Sequence, residues 1–157
     1  MTTAAIADGV VAVDTQCTGG NYAVRVAKLA RLPDGGVAVI SGVYRTGYAG
    51  LKWLADGERG DPPDIDGATI AIVRPDHSIW VADDGWPAFP VMDRSYAIGC
   101  GADLARKALA DGKDPVQAVA EACELDSNSS GPILCMTAEP THEYPPATIH
   151  KIKRARK

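Results

Sequence analysis

Thr2 stands directly behind the initiator Met1, and its side chain is small enough for methionine aminopeptidases to accept. With Met1 removed, this residue carries a hydroxyl nucleophile and a free α-amine on one set of atoms. An α-amine has an unperturbed pKa of roughly 7.7–8.0, closer to neutrality than a lysine amine. A threonine hydroxyl activated by its own terminal amine is a known kind of nucleophile. A Met-Thr start is common and usually without consequence, so the chemistry depends on what other residues supply. Lys28 lies among small apolar residues, Val26, Ala27, Leu29 and Ala30. An unpaired ammonium is costly to bury there, and Asp14, which closes an apolar run, is the expected partner.

The elements that must position these groups begin with a hairpin. Thr3–Ala7 and Val10–Asp14 are apolar runs joined by Asp8-Gly9, a dipeptide suited to the positive φ angles of a type I′ turn. Runs so uniformly apolar predict strands covered on both faces. The hairpin sets Thr2 at the start of a buried strand with Asp14 nearby. Residues 14–21 read as a polar, glycine-containing loop, and Tyr22–Leu32 as a strand carrying Lys28. Pro33, Asp34, Gly35 and Gly36 turn the chain, and Val37–Ser41 returns as an apolar strand ending at Gly42.

Thr46–Leu54 reads as a short helix capped by Thr46 and ended by Gly57. The proline- and glycine-rich stretch 56–67 cannot continue it. Ala68–Val73 and Ser78–Ala82 form a second hairpin, with His77 in a solvated turn. Trp86–Pro90 is an aromatic connection, and Ser95–Gly99 a strand leading into a helix over Gly101–Ala110. Asp114, Pro115 and Gln117 spell a capping box with proline at the first helical position. Val116, Val119, Ala120 and Cys123 then give the expected buried face of the next helix. Pro132–Ala138 is a last core strand and Thr148–Ile152 an edge strand. His142, His150 and the basic tail Lys151–Lys157 look peripheral. Strands, a helix, strands, two helices and strands together suggest two mostly antiparallel sheets stacked between helical layers.

At 157 residues the chain is expected to form one domain, 1–157, with a peripheral tail from about residue 139. An apolar content of 46% with 23% charged residues fits an ordinary globule. A net charge of −4 argues against a nucleic-acid partner. No apolar run approaches the ~20 residues of a membrane-spanning helix, and no signal-peptide pattern opens the chain. The expectation is a cytoplasmic protein with no membrane partner. Cys17, Cys100, Cys123 and Cys135 lack CxxC or Cys/His spacing, so free thiols are expected, with neither a metal site nor a disulfide framework.

Several of these stretches resemble one family. They are Thr2-Thr3, the loop Asp14-x-Gln16-x-Thr18-x-Gly20-Asn21, Lys28-x-x-Arg31-Leu32 and the strand ending Ser41-Gly42. In that order they resemble the proteasome β-type family, and within it the bacterial HslV peptidases. Gly99-Cys100-Gly101 is similar to the family's Gly-Ser-Gly, and Asp126-x-x-Ser129 to its Asp-x-x-Ser. The resemblance runs from Thr2 to Thr137. It implies an α+β fold, a four-layer α/β/β/α sandwich known as the N-terminal nucleophile hydrolase fold. One short helix stands where the family has two long ones, so a shortened helical layer is expected.

The resemblance also implies roles. Thr2 is the nucleophile, and Lys28, paired with Asp14, lowers its pKa. The Gly42 N–H is an oxyanion donor. Asp126 and Ser129, with Cys100 in the place of the family's serine, hold the terminal amine and a proton-relay water. Cys17, Thr18 and Tyr44 line the substrate cleft and pair with a peptide as an added strand. The chain departs from the family in a shorter span from Asn21 to Lys28, in Ser130 for a common glycine, and in Tyr44, whose bulk narrows the cleft. The implied function is a threonine-type endopeptidase without cofactor or metal. It acts on peptides or unfolded proteins as a homo-oligomer, with an ATPase unfoldase as a possible partner. Two alternatives stay open: a non-catalytic oligomeric scaffold, and an N-terminal nucleophile amidase for a small amide.

Overall fold

Asp8 and Gly9 both adopt positive φ, 51° and 79°, and so turn β1 (Thr3–Ala7) back into β2 (Val10–Val13) as the dipeptide predicts. The computed structural model describes residues 1–140 and 147–151; His142 and the tail from Ile152 onward lie outside the described residues. The β1–β2 hairpin is the centre of the first sheet. β10 (Ser95–Gly99) pairs with β1, β11 (Ile133–Thr137) with β2, and β12 (Thr148–His150) closes the far edge, every pairing antiparallel. Thr148–His150 is therefore a paired edge strand within the stretch expected as tail.

The second sheet runs β5 (Leu29–Arg31), β6 (Val37–Gly42), β7 (Ala68–Val73), β8 (Ile79–Asp83) and β9 (Phe89–Val91), also wholly antiparallel. Side-chain alternation divides the strands between layers. Ile6, Val11 and Val13 of the first sheet meet Val37, Val39, Val73 and Val81 of the second in the inter-sheet core. The opposite face of β1 and β2 offers only Ala5 and Ala12, small enough for two helices to pack closely. These are α2 (Ala102–Ala110) and α3 (Pro115–Leu125). On the outer face of the second sheet, Ile40, Ile70 and Ile72 pack on Leu51 and Leu54 of α1 (Tyr44–Ala55). The layers are thus α2/α3, sheet, sheet and α1, with one helix where the other side has two.

Four local expectations need correction. Residues 14–21 are not a loop: β3 (Gln16–Gly19) pairs with β4 (Tyr22–Arg25) in a separate two-stranded ribbon. Lys28 is not on a strand, because β4 ends at Arg25 and β5 begins at Leu29. Thr46 does not cap α1, which begins at Tyr44 with Val43 as its uncapped N-terminal neighbour. The Thr46 hydroxyl instead donates to the Asp66 carbonyl at 2.8 Å, tying the first turn to the end of the 56–67 segment. On α3 the capping box of Asp114 and Gln117 is present, but the buried face is centred on Ala118, Val119 and Ala122. Val116, Ala120 and Cys123 flank it, partly buried.

Candidate active site

Lys28 owes its position to backbone anchors on either side. The Val26 N–H donates to the Thr15 carbonyl at 2.9 Å, and the Ile40 N–H to the Lys28 carbonyl at 2.8 Å. Between them the Lys28 side chain turns inward, and its ammonium lies 2.9 Å from Asp14 Oδ1. Only 2% of the Lys28 side chain and none of the Asp14 side chain is exposed. A buried pair holds only if its remaining hydrogen-bonding capacity is also met. Asp14 Oδ1 also accepts the Thr3 N–H at 2.9 Å, and Oδ2 accepts those of Gln16 at 3.1 Å and Ser130 at 3.2 Å. The second acceptor of Lys28 Nζ is the Met1 carbonyl, at 2.8 Å. The ammonium therefore sits at the junction between Met1 and Thr2.

A second cluster flanks the same strand end. Ser129, buried, donates from Oγ to Asp126 Oδ2 at 2.9 Å and lies 2.7 Å from Thr3 Oγ1. Since the Ser129 proton goes to the carboxylate, the Thr3 hydroxyl is the donor to Ser129. Cys100 Sγ lies 3.0 Å from Asp126 Oδ2, 3.2 Å from the Thr2 carbonyl and 3.6 Å from Ser129 Oγ. Its single proton can serve one acceptor at a time. Burial, then the hydrogen bond to the Asp126 carboxylate, pushes the Cys100 thiol up, so it is held as a neutral donor. Burial also raises Asp126, but hydrogen bonds from Cys100, the Asn128 N–H and Ser129 outweigh it and hold this carboxyl below its ordinary value. Gly99 and Gly101 permit the close approach: a Cβ on Gly99 would overlap the Thr2 carbonyl, and one on Gly101 the Thr3 hydroxyl.

A small pocket opens beside Thr2, lined by Met1, Thr2, Cys17, Lys28, Ile40, Ser41, Gly42 and Tyr44. Gly42 ends β6 with φ 84°, and a Cβ there would collide with the Gly67 carbonyl. The structure thus brings Thr2, Asp14, Lys28, Gly42, Cys17 and Tyr44 to one place, with Cys100, Asp126 and Ser129 on its flank. Thr18 is exposed on β3 and is not part of the pocket lining. Three contributors were not singled out from sequence: Thr3, which links the two clusters, and Gln16 and Ser130, which hold Asp14 and hydrogen-bond each other through their side chains. Gln16 stood within the motif around Asp14 and could have been found there. Ser130 stood out only as a departure from a common glycine, and a backbone N–H carries no residue-type signal for its contact with Asp14. Among the described residues no group of three or more His, Cys, Asp or Glu side chains is placed to hold a metal ion.

With Met1 attached, the Thr2 nitrogen is an amide and cannot act as a base. Cutting that bond converts it to an amine at a site already furnished with a buried ammonium, a glycine N–H and a hydrogen-bonded carboxylate. No protein-family model matches the chain, and no curated protein matches it in sequence. Solved structures do match it in three dimensions. The structure of Thiobacillus denitrificans BPH in complex with epoxomicin has a TM-score of 0.62 at 18% identity, over 88% of this chain and 99% of that one. Another of Thiobacillus denitrificans BPH gives 0.59 at 17% identity, over 89% and 99%. Eukaryotic HslV from Trypanosoma brucei gives 0.62 at 18% identity, over 87% and 99%. At such identities the likeness is one of fold, and it agrees with the layer order and strand pairing above: the chain has the N-terminal nucleophile hydrolase fold, as seen in HslV.

Proposed function

We propose that the protein is an N-terminal threonine hydrolase that cleaves peptide bonds. The observation that carries this reading is the Lys28–Asp14 pair, buried and aimed at the Met1–Thr2 junction. A sandwich of this size gains little stability from burying an ion pair that apolar residues could replace, whereas a nucleophile gains from a fixed positive charge beside it.

The reading requires that Met1 be removed. The Thr2 α-amine then takes the hydroxyl proton as Oγ bonds to the substrate carbonyl carbon. The negative charge that moves to the carbonyl oxygen is met by the Gly42 N–H, a fixed donor that needs no rearrangement. The α-ammonium returns its proton to the leaving nitrogen as the C–N bond breaks, leaving an ester on Thr2. Water, deprotonated by the same amine, hydrolyses the ester and frees the second product. Cys100 at the Thr2 carbonyl and Ser129 at the Thr3 hydroxyl, both bonded to Asp126, hold this segment at the centre. On this reading epoxomicin, the ligand in one Thiobacillus denitrificans BPH structure, is a ligand for this protein too.

Hydrolysis of fluorogenic peptides by wild type, Thr2→Ser and Thr2→Ala tests the proposal. Thr2→Ser keeps the hydroxyl and the amine and retains measurable activity. Thr2→Ala loses at least about a thousandfold in kcat, as nucleophile removal does in other hydrolases. Unchanged hydrolysis by Thr2→Ala contradicts the reading.

A further inference from the structure

The pocket beside Thr2 has one wall that the chemistry above does not use. Tyr44, the first residue of α1, lines it together with Lys28, Gly42, Cys17 and Ile40. The ring is fixed from two directions. Its hydroxyl donates to the Ala27 carbonyl at 3.1 Å, immediately before Lys28. Its face stacks on Tyr48, one helical turn on, with centroids 5.6 Å apart and planes inclined by 22°. Tyr44 therefore bridges the start of α1 and the segment that carries Lys28. With Met1 still lining the pocket, the space left has room for about a single water-sized group.

A carbonyl attacked by Thr2 must lie between Thr2 Oγ and the Gly42 N–H. The side chain of the residue that contributes this carbonyl is attached one bond away. It has to enter the pocket that Thr2 and Gly42 share. Departure of Met1 widens the pocket on one side, while Cys17, Ile40 and Tyr44 belong to the folded body and remain. We propose that Tyr44 restricts cleavage to bonds that follow a small side chain, glycine, alanine or serine. The inference rests on the peptidase reading and adds the substrate class to it. Tyr44 is a specificity residue: it shapes what enters and takes no part in bond making.

The test compares kcat/KM for three blocked fluorogenic peptides that differ only in the residue before the scissile bond: alanine, leucine or phenylalanine. A single methylene in a fitted pocket changes kcat/KM by roughly 10- to 200-fold. Wild type is expected to favour alanine over leucine by at least about tenfold, and over phenylalanine by more. Tyr44→Ala removes the wall and should shift the preference toward leucine. Tyr44→Phe keeps the ring and loses only the hydroxyl anchor, so its preference should stay with alanine. Tyr44→Leu gives the same direction as Tyr44→Ala if the smaller variant folds poorly. Equal rates for all three peptides with wild type overturn this inference alone, as does an unchanged preference in Tyr44→Ala. Failure of the processed protein to cleave any of the peptides overturns the peptidase reading, and this inference with it.

Discussion

Lys28 and Asp14 are unequal partners in their pair. The carboxylate has three backbone N–H donors besides the ammonium, while among the described residues Lys28 has only Asp14 and the Met1 carbonyl. Replacing the lysine therefore leaves a carboxylate that is still hydrogen-bonded. Lys28→Met should fold, with a loss near the low end for breaking a buried pair, about 3 kcal/mol in urea denaturation. Its peptide hydrolysis should fall by at least about a hundredfold, the scale of losing one fixed electrostatic group. A Lys28→Met protein that cleaves peptides at the wild-type rate would remove the charge from the mechanism. Asp126 gives a prediction in pH. Its folded pKa lies below the ordinary value, so as pH falls the unfolded chain takes up the proton first. The stability it contributes is fully present above about pH 5, a unit above the ordinary Asp value, and is lost as pH falls through the folded pKa. The urea midpoint of wild type should drop more steeply between about pH 5 and pH 3 than that of Asp126→Asn. Parallel curves would show that the bonds from Cys100, Asn128 and Ser129 add nothing to stability.

Gly42 shows why an element and its end can be read correctly while the reason for that end is not. The apolar run Val37–Ser41 identified β6, and the terminal glycine marked its limit. The collision that forbids a side chain there comes from Gly67, at the far end of the 56–67 segment. Gly42→Ala should cost about 1–2 kcal/mol for the left-handed backbone alone, more with the overlap, and should abolish hydrolysis by shifting the oxyanion donor. Full activity in this variant would contradict the role given to its N–H. Local signals served well where the physics is local. Asp8-Gly9 fixed the first hairpin, Asp114 and Gln117 the start of α3, and uniform apolarity the two-faced burial of β1 and β2. They failed where distant groups decide. Thr46 looks like a cap, but the Asp66 carbonyl takes its hydroxyl and the helix starts earlier. The segment 26–28 looks like strand because it is apolar, yet Thr15 and Ile40 hold it between two sheets so that Lys28 can turn inward.

The site as a whole belongs to no single element. Thr2 and Asp14 flank β1 and β2 of the first sheet, Lys28 lies just before β5 and Gly42 at the end of β6 in the second, and Cys100, Asp126 and Ser129 follow β10 and α3. Sequence motifs named these residues, but Thr3, which joins the two clusters through one N–H and one hydroxyl, emerges only when the layers are stacked. On the proposed reading, these groups serve a Thr2 amine that exists only after Met1 is gone. The most direct test is therefore the intact mass of the purified protein, followed by peptide mapping after reaction with an electrophilic peptide that captures a hydroxyl and its neighbouring amine. The account predicts a chain that begins at Thr2 and carries the label on Thr2. A peptidase that retains Met1, or one whose label falls on Cys17 or Cys100, would contradict it.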